Sequence, residues 1–155
     1  MGVRVCEREV WLPAPVEEVF AFFSDASNLA RLTPPWLRFE ILTPQPMVMG
    51  SGALIDYRIS LHGLPMKWRT EILDWEPNKR FSDRQIKGPY RKWHHTHEFQ
   101  SANGGTQMND KVEYILPGGI LEPLIFPIVR RDVERIFDYR TNVIRSIFPD
   151  PAIAK

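Results

Sequence analysis

The chain has 155 residues, a net charge of +1, and nine phenylalanines and five tryptophans. A chain of this length can bury one apolar core, and we expect a single domain over residues 1–155. The balanced charge argues against nucleic-acid binding, and no apolar run approaches the roughly 20 residues of a membrane span. The lone cysteine, Cys6, excludes an internal disulfide and suits a reducing compartment. With no signal peptide visible, we expect a cytoplasmic protein.

The first part of the chain predicts one strand followed by two short helices. Residues 3–12 alternate as a strand would, and a Pro-Ala-Pro segment ends them. Apolar residues then recur at helical spacing over residues 16–23. A second short helix over residues 28–32 is expected to stop before Pro34.

Alternation of apolar and polar residues predicts about six antiparallel strands in the middle of the chain. The predicted strands cover residues 37–42, 53–61, 66–72, 80–87, 91–99 and 106–114. Segments rich in glycine, proline and asparagine separate them, and His62-Gly63 in particular predicts a tight hairpin turn.

A long amphipathic helix is predicted after the last strand. Its apolar stripe runs from Leu121 to Ile147 at helical spacing. Pro127 should kink this helix or mark its beginning. From Ile128 to Phe148 the helix would be about 30 Å long, which is enough to cross a sheet and enclose a space against it.

The run from Arg91 to Phe99 carries an unusual set of side chains. Side chains two residues apart share a face of a strand, so Trp93, His95, His97 and Phe99 lie on one side. Two imidazoles among aromatic rings suit the wall of a small-molecule cavity better than a dry core.

This order of elements resembles the helix-grip fold of the SRPBCC superfamily over residues 3–148. The superfamily includes START lipid-binding domains, birch-pollen-allergen-like proteins, polyketide cyclases/dehydrases and coenzyme Q-binding proteins. The Pro-Val-Glu-Glu-Val-Phe segment at residues 15–20 and the amphipathic last helix are its general marks. More specifically, residues 81–99 and the Asp-Lys-Val-Glu-Tyr segment at residues 110–114 resemble a bacterial subgroup of cyclase/dehydrase-like or ligand-binding proteins.

The resemblance implies an α+β fold, in which a curved antiparallel sheet of about six or seven strands wraps around a long C-terminal helix. Two short helices would lie between strands 1 and 2. It also implies an internal cavity for a hydrophobic, lipid-, polyketide- or quinone-like molecule, without one shared catalytic constellation. Related domains can occur beside or fused to sugar-nucleotide epimerase-like proteins, so an epimerase-like partner is an alternative role.

Four ionisable residues are expected to meet at this cavity. If the strands pair in meander order, Asp83, His95, His97 and Asp110 come from three neighbouring strands and share one face. We predict these four as the catalytic or anchoring residues. The predicted ligand-binding residues are Tyr57, Trp68, Phe81, Gln85, Trp93, Phe99, Met108 and Tyr114.

Three functions fit these residues. In the first, the polar group orients the polar end of an apolar ligand whose body lies against the aromatic rings. In the second, a His–Asp pair performs general acid–base chemistry, such as dehydration or aldol-type cyclisation of a carbonyl substrate. In the third, His95 and His97 bind a divalent metal with the carboxylates, although this spacing is weak evidence and no cofactor is expected.

A purely structural role is the remaining alternative. In that case the histidines hydrogen-bond across strands and side chains fill the interior. Because Arg58 and Arg69 alternate towards the outer face, we expect no anion-binding arginine inside the cavity.

Overall fold

Seven strands form one antiparallel sheet across residues 2–151, the part of the chain that the computed structural model describes. In chain order they are β1 (Arg4–Leu12), β2 (Glu40–Ile41), β3 (Leu54–Leu61), β4 (Leu64–Glu76), β5 (Arg80–Lys87), β6 (Lys92–Ala102) and β7 (Gly105–Ile115). Their order in the sheet is β1-β7-β6-β5-β4-β3-β2, so the middle strands form a meander and β1 closes onto the last strand. The domain predicted for residues 1–155 extends past the described residues at both ends.

Within the described residues, three α-helices accompany the sheet. The two short helices, α1 (Val16–Phe23) and α2 (Leu29–Leu32), lie between β1 and β2, and the long helix α3 (Glu122–Ile147) follows β7. Single 3₁₀ turns precede α2, β2 and α3. This architecture confirms the predicted helix-grip fold with its two short helices and its long C-terminal helix. No helix within residues 2–151 is long and apolar enough to cross a membrane.

Tight turns set the register of the meander. His62 and Gly63 both have positive φ, at 50° and 82°, which is the conformation of a type I′ hairpin turn. Asn103 and Gly104 repeat this arrangement between β6 and β7, with φ of 52° and 76°. Because side chains alternate along each strand, these fixed registers decide which residues face the interior.

Three apolar clusters build the core on the inner face of the sheet. The first surrounds α1, where Phe20 and Phe23 pack against residues of β5, β6 and β7. The second joins β7 to α3 through Val133 and Phe137. The third lies under β3 and β4 around Ile55. The interior cavity borders all three clusters.

The strand predicted over residues 37–42 is shorter than expected. Of this segment, only the two residues of β2 (Glu40–Ile41) pair with β3. The reason is the Pro34-Pro35 pair, because it starts a 3₁₀ turn that continues to Leu37. Arg38 follows with a left-handed φ of 48°, so the chain becomes extended only afterwards.

The last helix follows the apolar stripe predicted from Leu121 to Ile147, but Pro127 does not mark its beginning. Helix α3 begins at Glu122, and Pro127 lies inside it. Pro123 occupies the first turn, where its missing N–H has no partner to lose, so only the hydrogen bond of Pro127 is absent. The early turns project beyond the core, since Ile128 remains 56% exposed.

Candidate functional site

A partly open cavity of about 160 Å³ lies between the inner face of the sheet and α3. One end of this cavity is apolar and aromatic. The other end carries charged and ionisable groups: Asp83, His95, His97 and Arg140. We refer to these four residues, together with the adjacent Asp110, as the polar cluster.

Strand pairing assembles most of the polar cluster. Asp83 on β5 lies directly opposite His95 on β6, and His97 lies directly opposite Asp110 on β7. The three strands are neighbours, and the alternation of side chains directs all four groups inward. The structure therefore brings together the four residues predicted as catalytic or anchoring.

Asp110 is at the centre of the cluster and is only 4% exposed. Its Oδ2 accepts a hydrogen bond from Arg140 Nε at 2.5 Å, and its Oδ1 accepts one from His95 Nε2. Burial opposes ionisation of this carboxyl group, but the charge of Arg140 and the contact with His95 outweigh it. Together they hold the pKa of Asp110 well below its ordinary value. Asp110 is thus a buried carboxylate that fixes the positions of its neighbours.

His97 is held between Asp83 and Arg140. Its Nε2 lies 3.3 Å from Asp83 Oδ2, and its Nδ1 lies 3.3 Å from Arg140 Nη2. Burial and the nearby His95 and Arg140 side chains lower the pKa of His97 to about 4, although both carboxylates oppose this. The imidazole is therefore neutral at pH 7. Because a guanidinium can only donate, Nδ1 accepts and Nε2–H donates to Asp83.

Aromatic stacking orients the imidazoles further. The ring of His97 stacks on Phe81, with centroids 4.2 Å apart and planes 17° apart. His95 lies 3.9 Å from His97 and contacts Phe137 of α3 at 5.4 Å, again between ring centroids. The two imidazoles, held by these ring contacts, thus lie between the charged groups and the apolar interior.

Arg140 is the member of the cluster that sequence analysis missed. It lies on α3, is 8% exposed, and reaches the cluster from the side opposite the sheet. The expectation of no anion-binding arginine in the cavity is therefore wrong, although the two strand arginines do point outward as predicted. The sequence does indicate that Arg140 is buried. It lies at helical spacing from three apolar residues of the same helix, Val133, Phe137 and Ile144, so it shares their buried face.

The apolar end is built mainly by β3, β4 and β6. Tyr57 stacks on Trp68 with centroids 5.8 Å apart, and Trp68 meets Trp93 edge to face at 5.4 Å. Burial raises the pKa of the Tyr57 hydroxyl, which lies 3.4 Å from Thr70 Oγ1 and stays protonated. This end offers flat ring surfaces and few hydrogen-bonding groups.

Four of the eight predicted ligand-binding residues line the cavity, namely Tyr57, Trp68, Phe81 and Trp93. The other four lie away from it, although they share the inward face. Phe99 and Met108 are covered by α1, and Tyr114 belongs to the cluster under the first half of α3. Gln85 instead holds a turn, because its amide exchanges two hydrogen bonds with the backbone of Tyr90.

The cluster also has the composition of a metal site. One nitrogen from each of His95 and His97 and one carboxylate oxygen of Asp83 lie within 4.8 Å of one another. Imidazole and carboxylate are ligands that suit zinc, iron and cobalt. The arrangement can therefore orient a polar ligand atom, move a proton or hold a cation.

Residues 12–138 match the family described as "Polyketide cyclase / dehydrase and lipid transport", and the chain belongs to this family. The match confirms the resemblance to the SRPBCC superfamily that the sequence suggested. Comparison with curated proteins gives no match.

Solved structures with the same fold cover nearly the whole chain. The protein TTHA0849 from Thermus thermophilus has a TM-score of 0.69 and 19% identity, over 92% of this chain and 95% of that one. The Zhui aromatase/cyclase from Streptomyces sp. R1128 has a TM-score of 0.65 and 17% identity, over 98% and 99%. A nucleoside-diphosphate sugar epimerase from Corynebacterium glutamicum has a TM-score of 0.62 and 24% identity, over 90% of this chain and 28% of that one. At these identities the likeness shows a shared fold.

Proposed function

We propose that this protein binds a hydrophobic or aromatic small molecule in the cavity between the sheet and α3. The observation that carries this proposal is the division of the cavity into an aromatic end and a polar cluster. A ligand with a ring at one end and a carbonyl or hydroxyl oxygen at the other would match both. The polar cluster would fix its orientation, and the rings of Tyr57, Trp68 and Trp93 would contact its body.

The volume of the cavity limits the part of the ligand that is enclosed. About 160 Å³ is close to the volume that admits a single benzene-sized ring and is below the roughly 300–1,000 Å³ of typical ligand sites. A compact ring with one polar oxygen therefore fits better than an extended lipid chain. A longer ligand would extend outside this volume.

Calorimetric titration with phenol, a single ring with one polar oxygen, tests this proposal. Binding should be lost in Ile59→Trp, because Ile59 is buried in the cavity wall and a larger side chain would fill the space. Ile86→Trp is the matched control, since Ile86 lies on the outer face of β5. If titration with phenol and native mass spectrometry of freshly purified protein both show no bound molecule, or if Ile59→Trp binds phenol as the wild type does, the proposal fails.

A second candidate function is general acid–base catalysis on a carbonyl substrate, and the contact between Asp110 and His95 favours it. The carboxylate holds the Nε2–H of His95, which leaves Nδ1 as the nitrogen that can accept a proton. A base oriented by a buried carboxylate is the arrangement that enzymes use to remove a proton beside a carbonyl. Arg140 would supply a positive charge near the resulting enolate oxygen.

Deuterium exchange tests this second function without knowledge of the natural substrate. Acetophenone in D₂O should lose its methyl protons faster with protein present than in buffer, as followed by proton NMR. His95→Gln should return the exchange to the buffer rate, whereas His94→Gln should not, because His94 lies on the opposite face of β6. Exchange that is no faster than buffer, or that is unaffected by His95→Gln, would rule out this role for His95.

The role beside an epimerase-like partner stays a prediction from the resemblance. The likeness to the Corynebacterium glutamicum epimerase lies below 25% identity and concerns the fold alone. Co-purification with an epimerase-like protein would support the role.

A further inference from the structure

We propose that Asp83, His95 and His97 bind a divalent transition-metal ion, such as Zn²⁺ or Fe²⁺, on the cavity wall. The three side chains offer one ligand atom each, and these atoms lie within 4.8 Å of one another. Two imidazoles and one carboxylate form a ligand set that such ions prefer. This inference goes beyond the proposed function, because the metal would bind whether or not a small molecule is present.

The spacing of two of the ligand atoms already suits a shared ion. Metal–nitrogen and metal–oxygen bonds of about 2.0–2.2 Å at tetrahedral angles place neighbouring ligand atoms about 3.4 Å apart. His97 Nε2 and Asp83 Oδ2 are 3.3 Å apart. An ion between them would replace the proton that Nε2 otherwise donates to Asp83. The ligand nitrogen of His95 lies within 4.8 Å of both atoms and would move closer to them to complete the set.

Asp110 would act as the outer carboxylate that orients both imidazoles. Its Oδ1 contacts His95 Nε2 and lies 3.4 Å from His97 Nδ1. Metal-binding histidines usually direct their second nitrogen towards a carboxylate of this kind. With an ion on Nε2, His97 would carry its proton on Nδ1 and donate it to Asp110, at the expense of the Arg140 contact. Each imidazole then keeps one nitrogen for the ion.

The charges in the cluster accommodate a cation despite the presence of Arg140. Asp110 accepts a hydrogen bond from Arg140 at 2.5 Å and so offsets its charge. Within residues 2–151, the ion pairs give Asp83 one partner, the imidazole of His97 at 3.3 Å, and no lysine or arginine. A bound divalent ion would place a positive charge beside this carboxylate.

The position of the three ligands leaves room for a further ligand on the ion. All three side chains line the cavity, so the remaining coordination positions of the ion would face the cavity. Sites with three protein ligands and an open position are typical of metals that bind a substrate or a water molecule. A carbonyl or hydroxyl oxygen in the cavity could occupy that position.

Titration of chelator-treated, tag-free protein with Co²⁺ tests the proposal. We expect visible absorption bands that saturate at one equivalent and disappear when Zn²⁺ is added. Asp83→Asn and His95→Gln, as two independent variants, should each weaken binding by at least about tenfold. His94→Gln and His62→Gln are matched controls on the outer face and in an exposed turn, and should bind as the wild type does.

X-ray absorption on the wild-type protein loaded with Zn²⁺ gives a readout that does not depend on any variant. It should show nitrogen and oxygen ligands with the outer-shell scattering of two imidazoles. The proposal is overturned if Co²⁺ produces no saturable bands, or if only His62→Gln abolishes them, which would place the ion at the exposed His62–Asp132 pair. Because these experiments use the metal alone, failure of small-molecule binding would leave their outcome unchanged.

Discussion

The two ends of the cavity are held together by different kinds of interaction. At the polar cluster, Asp110, Arg140 and the two histidines each depend on a particular partner at a particular distance. At the apolar end, Ile55, Tyr57 and their neighbours make many contacts that are individually weak and have no fixed direction. Both ends lie on the same sheet, and both are buried.

This difference predicts different responses to mutation. Removing one member of a buried charged pair leaves the other without compensation, so the polar cluster should respond in large steps. Removing a methyl group from the apolar end loses only the packing of that group, so the effect should scale with volume. Substitutions at each end therefore test the contrast.

The largest effect is expected for Arg140→Met. The substitution keeps an apolar side chain of similar length on α3 but removes the cation beside the buried Asp110. Breaking such a pair typically lowers the free energy of unfolding by about 3–5 kcal/mol. Urea denaturation at pH 7 would measure this change in the free energy of unfolding. The control is Arg145→Met on the exposed side of the same helix, where the change should stay within about 0.5 kcal/mol.

A double variant separates the loss of the pair from the loss of packing. If the unpaired carboxylate causes the instability, Arg140→Met combined with Asp110→Asn should be less destabilised than the sum of the two single variants. Strict additivity, or a loss for Arg140→Met no larger than for Arg145→Met, would show that the polar cluster is as tolerant as the apolar end.

The next effect is a dependence of stability on pH that originates at His97. In the folded protein the pKa of His97 is lowered to about 4 from an ordinary value of 6.5. Between these values the unfolded chain binds a proton that the folded protein does not, so stability falls as the pH decreases from 6.5 to 4. Over this whole interval the loss amounts to on the order of 3 kcal/mol. Above pH 6.5 His97 is neutral in both states, so it adds no further dependence of stability on pH.

Urea denaturation of wild type and His97→Gln across this pH range, in chelator-treated protein, would measure the contribution. Glutamine cannot titrate but can still accept a hydrogen bond from Arg140, so the variant should lose less stability between pH 6.5 and 4 than the wild type does. Parallel curves for the two proteins would mean that His97 binds a proton equally well in the folded and unfolded states.

Most of the fold and much of the polar cluster could be predicted because strands encode them locally. Alternation placed Asp83, His95, His97 and Asp110 on one face, and the short turns made neighbouring strands pair in sequence order. Arg140 could not be placed in the same way. Its contact with Asp110 joins a helix to the sheet, and helical periodicity gives the buried face without giving the residue it meets.

The extent of the cavity could not be predicted from the sequence pattern either. Alternation assigns Phe99, Met108 and Tyr114 to the inner face, and all three are indeed buried. Alternation does not indicate which part of that face the helices cover. In the structure, α1 and the first half of α3 cover these three residues, so they do not line the cavity. The open part of the face depends on how the helices cross the sheet, which is a property of the whole chain.

The smallest predicted effect compares two isoleucines that are equally buried. Ile55 lines the cavity, whereas Ile144 packs in the solid core between α3 and α1. Ile→Val substitutions usually cost about 0.5–1.5 kcal/mol, and the cost is higher where the removed methyl group was closely packed on all sides. Ile55→Val should therefore lie near the lower limit and Ile144→Val near the upper one, as measured by urea denaturation. The reverse order would mean that the wall beside Ile55 is packed as tightly as the core, which would argue against an open cavity at this end of the protein.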